Sequence, residues 1–169
     1  MELIFRNAVQ SEFELVISLL NTAAKAINAK GLTQWNVWLS PSEEKIAWVQ
    51  EGFDQNEFQL VENNNGEIVG MFRLSETDKL YWGHNEDNAA YVHSLVVKKE
   101  FSGQDLGKKI LIQIEADLVK ENRELFRLDC NAENEWLCQY YEQQGFVKVR
   151  QIKMPQSLNN LYEKRIIEL

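Results

Sequence analysis

The chain has 169 residues, 44% hydrophobic and 11% aromatic, enough for one compact domain (1–169) burying about two-thirds of its unfolded surface. Eighteen Lys and Arg against 26 Asp and Glu leave a formal charge of −8, which repels phosphate backbones and argues against a nucleic-acid partner; a cationic or amine partner suits it better. Cys130 and Cys138 have neither metal-ligand spacing nor the density of a secreted disulfide framework, so they read as reduced thiols of a cytoplasmic protein without a metal.

From Met1 the chain runs straight into "ELIFRNAV", with no basic-then-apolar leader, and no apolar stretch approaches the ~20 residues of a membrane span. A soluble, unprocessed chain with no membrane partner is expected. "LIFRNAV" alternates as a strand; Ser11 and Glu14 then form a capping box ahead of Phe13, Val16, Ile17, Leu20, Ala24 and Ile27 at helical spacing. "KGLTQWNVWL" carries Trp35 and Trp38 without a clear period. At "SPSE", Ser40 is the expected cap and Pro41 the first position of a second helix ending near Gly52. "EFQLVE" and "EIVGMFRLSE" flank the turn "NNNG" as a hairpin, and "AAYVHSLVV" follows a polar loop as a strand. Leu106, Ile110, Leu111, Ile114 and Leu118 share one face of a helix reaching about Asn122, and "LFRLDCNA" is the next strand. "NEWLCQYYEQQG" is a helix capped by Asn134 and stopped by Gly145; "FVKVRQI" and a segment near "LYEKRIIEL" complete the sheet. The order β-α-α-β-β-β-α-β-α-β-β predicts an α/β fold, a mixed sheet flanked by helices on both faces.

"FSGQDLGKKIL" joins a strand to a helix start, where unpaired N–H groups and the helix dipole favour an anion. Gly103 and Gly107 let the backbone approach a ligand, and Lys108 and Lys109 add charge; an ordinary glycine turn is the plainer alternative. The spacing fits neither "GxxxxGK[ST]" nor "GxGxxG".

"YVHSLVVKKEFSGQDLGKKIL" resembles the strand-loop-helix signature of the GNAT superfamily of N-acetyltransferases, Leu-x-Val followed by Gln/Arg-x-x-Gly-x-Gly/Ala. Leu95, Val97 and Gly107 match; Ser102 stands where the family has Gln or Arg, and Asp105 where it has its middle glycine. "LDCNAENEWLCQYYEQQGF" resembles the later block, matching at Asn134, Tyr141, Gly145 and Phe146. The resemblance implies a GNAT-like acyl-CoA N-acyltransferase fold, in which two parallel strands splay apart to admit the pantetheine arm of acetyl-CoA. It implies backbone pairing of that arm along Leu95, Val96 and Val97. The pyrophosphate is expected on the loop Ser102, Gly103, Gln104, Asp105, Leu106, Gly107 and Lys108, with Asn134 and Tyr141 also toward the cosubstrate. The Asp105 side chain either points to solvent or opposes the pyrophosphate, and both readings stand.

Acetyl transfer to an amine requires a neutral amine, a stabilised oxyanion and a proton for the thiolate. Tyr141, which the resemblance puts beside the thioester sulfur, is the expected acid; an aromatic core residue is the plainer reading. His93 is the expected base, on one face with Tyr91, Leu95 and Val97 if the strand alternates, against an ordinary hydrogen-bonded strand histidine. Glu76 and Asp78 are reserve bases, and nothing recommends His84. Trp35, Trp38 and Trp82 are the expected wall for an alkyl or aryl amine, though tryptophans are more often core. The expectation is a bacterial-type acetyl-CoA-dependent N-acetyltransferase acting on a small amine or peptide amine, with a homodimer open. The alternative is a non-catalytic acyl-CoA-binding sensor or interaction module, suggested by Ser102 and Asp105.

Overall fold

The structure, a computed structural model, describes residues 1–167. Its strands are β1 (Ile4–Asn7), β2 (Phe58–Glu62), β3 (Ile68–Ser75), β4 (Ala89–Val97), β5 (Leu125–Asn131), β6 (Val147–Met154) and β7 (Ser157–Arg165). Its helices are α1 (Phe13–Asn28), α2 (Glu43–Asp54), α3 (Lys79–Trp82), α4 (Leu106–Lys120) and α5 (Glu135–Gln143). This is the expected order with one addition, the four-residue α3, in the segment read as a polar loop. The described strands form a mixed sheet in the order β1-β2-β3-β4-β5-β7-β6. β4 and β5 are parallel, while β1–β2, β2–β3, β5–β7 and β6–β7 are antiparallel. The expected last segment, 161–169, begins inside β7, and Glu168 and Leu169 lie outside the described residues. Among the described residues no helix is long and apolar enough to cross a membrane.

The chain forms two compact units. The first is Met1–Leu74 with Ser94–Gly107; the second is Ser75–His93 with the chain from Lys108 onward. In the first, α1 turns Val16, Leu19, Leu20 and Ala24 inward, as its 3.6-residue period dictates, against Trp38, Val49, Phe53, Phe58, Leu60 and Met71. Each fully buried large apolar side chain contributes about 1.5–3 kcal/mol by leaving water.

Two helix starts differ from their expected positions. Ser11 does not cap α1; a 3-10 turn, Gln10–Glu12, precedes it, and Glu12 instead accepts from the Val9 N–H (2.9 Å) and from Arg6. That long carboxylate reaches a guanidinium six residues back, a bond a serine hydroxyl cannot make. The cap of α2 is Ser42 rather than Ser40, its hydroxyl accepting from the Lys45 N–H at 3.3 Å. Ser40 precedes Pro41, which disfavours the helical region before it and moves the start two residues on.

In the second unit, Tyr91, Leu125 and Leu161 pack with Ala89 and Trp82. Arg127 on β5 ties this core together. It bonds Glu163 and Asp87, both at 2.7 Å, and the Tyr91 hydroxyl at 2.8 Å, and lies 4.5 Å from the centroid of the Trp82 ring.

Candidate functional site

Two places gather the residues singled out from sequence, one in each unit. In the first, β4 leads through a 3-10 turn, Lys99–Phe101, into the loop before α4. Val96 is buried, Leu95 and Val97 are half-buried, and Ser102, Gly103, Gln104 and Asp105 are exposed. Gly103 takes φ +77° with nothing within 4 Å of where a Cβ would stand. Asp105 takes φ +56°. The acid at the family's middle-glycine position therefore adopts the left-handed backbone for which glycine is ordinarily used, and Asp enters that region several-fold more readily than most residues. Leu106, 2% exposed, anchors the first turn of α4, while Lys108 and Lys109 are exposed.

Ser94 also takes a positive φ, +53°, inside β4. Strand alternation is interrupted there, so the shared face expected for Tyr91, His93, Leu95 and Val97 does not run through as a simple period of two. The parallel ladder of β4 with β5 pairs Ala89, Ala90 and Tyr91 with Leu125, Phe126 and Arg127, and ends short of Ser94. β5 continues its pairing with β7 to Asn131.

In the second unit, His93 meets two carboxylates. Asp78 caps α3, accepting from the Tyr81 N–H at 3.2 Å, and its Oδ2 lies 3.8 Å from His93 Nε2. Asp129 projects from β5, and its Oδ2 accepts from Asn159 Nδ2 of β7 at 2.7 Å; Asn159 is itself steadied by the Ser157 hydroxyl, also at 2.7 Å. One ligand atom from each of Asp78, His93 and Asp129 lies within 4.8 Å of the others, close enough to converge on one small cation. Burial pushes the Asp129 carboxyl up to about 6, the hydrogen bond from Asn159 opposing and the charge of Asp78 reinforcing the shift. Burial, followed by Asp129 and Asp78, pushes the Tyr81 phenol up to about 12. Trp82 closes α3 with its indole Nε1 buried and without a hydrogen-bond partner among the described residues.

Tyr141 lies on α5, which Asn134 caps by accepting from the Leu137 N–H at 3.1 Å. Its ring packs against those of Tyr140, Phe146 and Tyr162 at 5.7, 6.0 and 6.3 Å. Burial raises its phenol above the ordinary value, helped by Cys130, Tyr140 and Asp129, so it stays protonated across the neutral range. Cys130 and Cys138 are buried free thiols, Sγ to Sγ 3.5 Å.

The other residues fall elsewhere. Trp38 is buried in the core of the first unit, with Trp35 packed against that core, whereas Trp82 belongs to the second. Glu76 is exposed and paired with Arg123, and His84 is exposed. Sequence reasoning passed over Asp129. Its signal was an acid between the apolar Leu128 and Cys130, in a strand where Asp is disfavoured.

Comparison with known proteins gives a match to the family model described as "Acetyltransferase (GNAT) family" over residues 23–146, a stretch that runs through both units. The chain is similar to YesJ of Bacillus subtilis (strain 168), named as an uncharacterized N-acetyltransferase, with 26% identity over 144 residues, 82% of this chain and 78% of that protein. Among solved structures it is similar to a GNAT-family acetyltransferase from Listeria monocytogenes 4b F2365, with TM-score 0.80, 26% identity and coverage of 98% of this chain and 95% of the other. A GNAT-family acetyltransferase from Streptococcus agalactiae 2603 shares the fold at TM-score 0.77 and 15% identity, with 96% and 95% covered.

Proposed function

The chain belongs to the GNAT family of acetyltransferases and is an N-acetyltransferase; from that premise we propose that it moves the acetyl group of acetyl-CoA to a primary amine by direct attack in a ternary complex. The observation that carries the donor assignment is the left-handed backbone at Gly103 and Asp105 ahead of α4, so that the off-pattern Asp105 takes a conformation for which glycine is ordinarily used. In this reading the N–H groups from Ser102 to Lys108 hold the pyrophosphate, and the main chain of Leu95, Val96 and Val97 pairs with the pantetheine amides. Asn134 contributes toward the cosubstrate. Tyr141, kept protonated by burial, gives its proton to the departing thiolate, and His93 beside Asp78 takes the proton of the amine. The acceptor is a small amine or a peptide amine, with Trp82, in the same unit as His93, the tryptophan proposed to face it.

Paired free thiols support a reducing, cytoplasmic setting, and the bacterial relatives support a bacterial-type enzyme. A homodimer is the assembly to look for by light scattering.

Thiol release from acetyl-CoA across a panel of amines and peptides tests the reading: turnover is expected, and tight CoA binding with no turnover on any acceptor overturns it. Tyr141→Phe keeps the ring packing and removes only the hydroxyl. Its kcat is expected to fall about 10²- to 10⁴-fold at nearly constant KM for acetyl-CoA.

A further inference from the structure

We propose that Cys130 and Cys138 form a reversible thiol–disulfide switch, closed by a hydroperoxide, that draws α5 toward β5 and takes Tyr141 out of position for proton transfer. Its effect on rate rests on the reading of Tyr141 as the proton donor; the disulfide does not.

The two sulfurs come from different elements. Cys130 stands in β5, fixed opposite Asn160 in the β5–β7 ladder, and Cys138 is the fourth residue of α5. Their Sγ atoms are 3.5 Å apart, and the residues are 5% and 8% exposed. A disulfide needs about 2.05 Å, so the sulfurs must approach by about 1.5 Å. The strand is held along its ladder, whereas α5 is a nine-residue helix that turns Glu135, Trp136 and Gln139 to solvent. The helix is therefore the element that yields. Tyr141 follows Cys138 by three residues and shares its face of α5, so a pull on the sulfur is a pull on the phenol.

The surroundings divide the roles. Asn160 Nδ2 donates to Cys138 Sγ at 3.4 Å, and its amide is turned that way because Gln151 Nε2 donates to Asn160 Oδ1 at 2.8 Å. A sulfur that accepts from an N–H in the first turn of a helix is prepared to carry negative charge as it attacks. Cys130 instead keeps its proton: burial raises its thiol, followed by its hydrogen bond to Cys138 and the fields of Cys138, Asp129 and Glu142. Cys138 is the attacking sulfur and Cys130 the resolving one. Disulfides of cytosolic proteins are of this transient, redox-sensing kind.

The step balances. Cys138 loses its proton and attacks the peroxide; an S–O bond forms, the O–O bond breaks, and the departing hydroxide takes up a proton as water. The Cys130 sulfur then attacks that of Cys138. An S–S bond forms, the S–O bond breaks, and the Cys130 proton leaves with the hydroxide as a second water. Two thiols are oxidised by two electrons, the peroxide is reduced by two, and an external dithiol reverses the change.

Reduced wild type treated with hydrogen peroxide and cleared with catalase is the test, followed by peptide mass mapping. A Cys130–Cys138 cross-link, lighter than the reduced pair by two hydrogens, is expected. With it kcat falls about tenfold or more at nearly constant KM for acetyl-CoA, and dithiothreitol restores it. Cys130→Ala is expected to stop at a dimedone-reactive sulfenic acid on Cys138, and Cys138→Ala to leave Cys130 unoxidised. Thermal melts check each fold, and each variant is compared with its own untreated rate. Two free thiols surviving in peroxide-treated wild type overturn the switch without recourse to a variant. So does a cross-link that leaves kcat unchanged, or an equal loss of rate in the double variant Cys130→Ala/Cys138→Ala, which has no thiol. One arm needs no turnover: amide hydrogen exchange in the peptide 135–143 is expected to change on oxidation of wild type and not of Cys130→Ala. If no acceptor reacts, the cross-link with that change upholds the switch and only the enzyme reading fails; unaltered exchange in cross-linked wild type overturns the switch.

Discussion

Arg73 and Asp129 are both ionisable side chains set into strands of the sheet, and their surroundings differ in kind. Arg73, on β3 and 4% exposed, has a partner on every side: Glu57 at 2.6 and 2.7 Å, the Trp48 carbonyl at 2.8 Å and the Trp48 ring 4.2 Å from its guanidinium carbon. The guanidinium meets Glu57 directly, with the exposed Glu51 carboxylate at 3.9 Å, and the Trp48 carbonyl and ring take a further donor and the flat face. Asp129 faces Asp78, a second group of its own sign, with one neutral amide bonded to it and an imidazole close by. A balanced buried charge is architecture. Neighbouring acids of like sign raise one another's titration, and groups whose titration is shifted by burial and a charged neighbour are candidates for chemistry.

The largest effect comes from unbalancing the balanced region. Arg73→Ala removes the guanidinium from Glu57 and from the Trp48 face, and a loss of about 3–5 kcal/mol is expected in urea denaturation. Arg73→Met with Glu57→Gln, removing both charges and restoring bulk, is expected to recover most of it. A single substitution that costs under about 1 kcal/mol would mean the pair is only decoration.

The opposite sign is expected at Asp129. Its folded pKa is raised, so between about pH 4 and 6 the folded protein keeps a proton that the unfolded chain releases. Stability from this group is therefore present below the unfolded value and lost as pH rises through the folded one. From 3.8 to about 6 the loss has a ceiling of about 3 kcal/mol at 1.36 kcal/mol per pH unit. Asp129→Asn is expected to match wild type near pH 4 and to exceed it at pH 7, with that part of the pH slope gone. Parallel stability–pH curves for the two proteins would show the carboxyl to be an ordinary one.

Packing around the balanced region gives the next effect. Gly52 lies on α2, and a Cβ there would stand 2.5 Å from Phe58 Cε2 and 3.0 Å from Arg73 Nε. Phe58 is 1% exposed and held by Phe53 at 5.4 Å and Trp48 at 6.0 Å, so it has little room to yield. Gly52→Ala is expected to cost about 1–3 kcal/mol despite alanine's better helix propensity. A stabilised variant in thermal melts would show that the ring moves freely.

The two regions also differ in how much of each could be read from sequence. The apolar faces of α1 and α4 and the "NNNG" hairpin were legible because period and turn chemistry are local. The start of α1 was not, since it depends on Glu12 turning back to Arg6. Tyr141 and His93 stood out by their place in motifs and strands. Asp129 did not, because its meaning lies in Asn159, thirty residues on across the β5–β7 ladder, and in Asp78 on a separate loop. Trp38 illustrates the reverse: a tryptophan conspicuous in sequence, buried in the core in the fold.

Asp105 supplies a third case, an acid in neither kind of surroundings, and the smallest effect. It is exposed, so water and salt weaken its field, and its backbone already has the left-handed form the loop uses. Asp105→Asn separates charge from conformation, because asparagine tolerates that backbone about as well. In water a unit charge about 8 Å from a phosphate charge contributes roughly 0.5 kcal/mol, or about twofold in affinity. The Debye length shrinks from about 30 Å at 0.01 M salt to about 8 Å at 0.15 M. Calorimetric titration with CoA is therefore expected to show the asparagine variant binding two- to fivefold tighter at 0.01 M salt and within twofold of wild type at 0.15 M. Equal affinities at the lower salt would mean that the carboxylate points away from the pyrophosphate and that only the N–H of residue 105 serves the loop. A loss of affinity in the variant would mean instead that the carboxylate orders the loop, and Asp105 would then belong with Arg73 among the charges that build the fold.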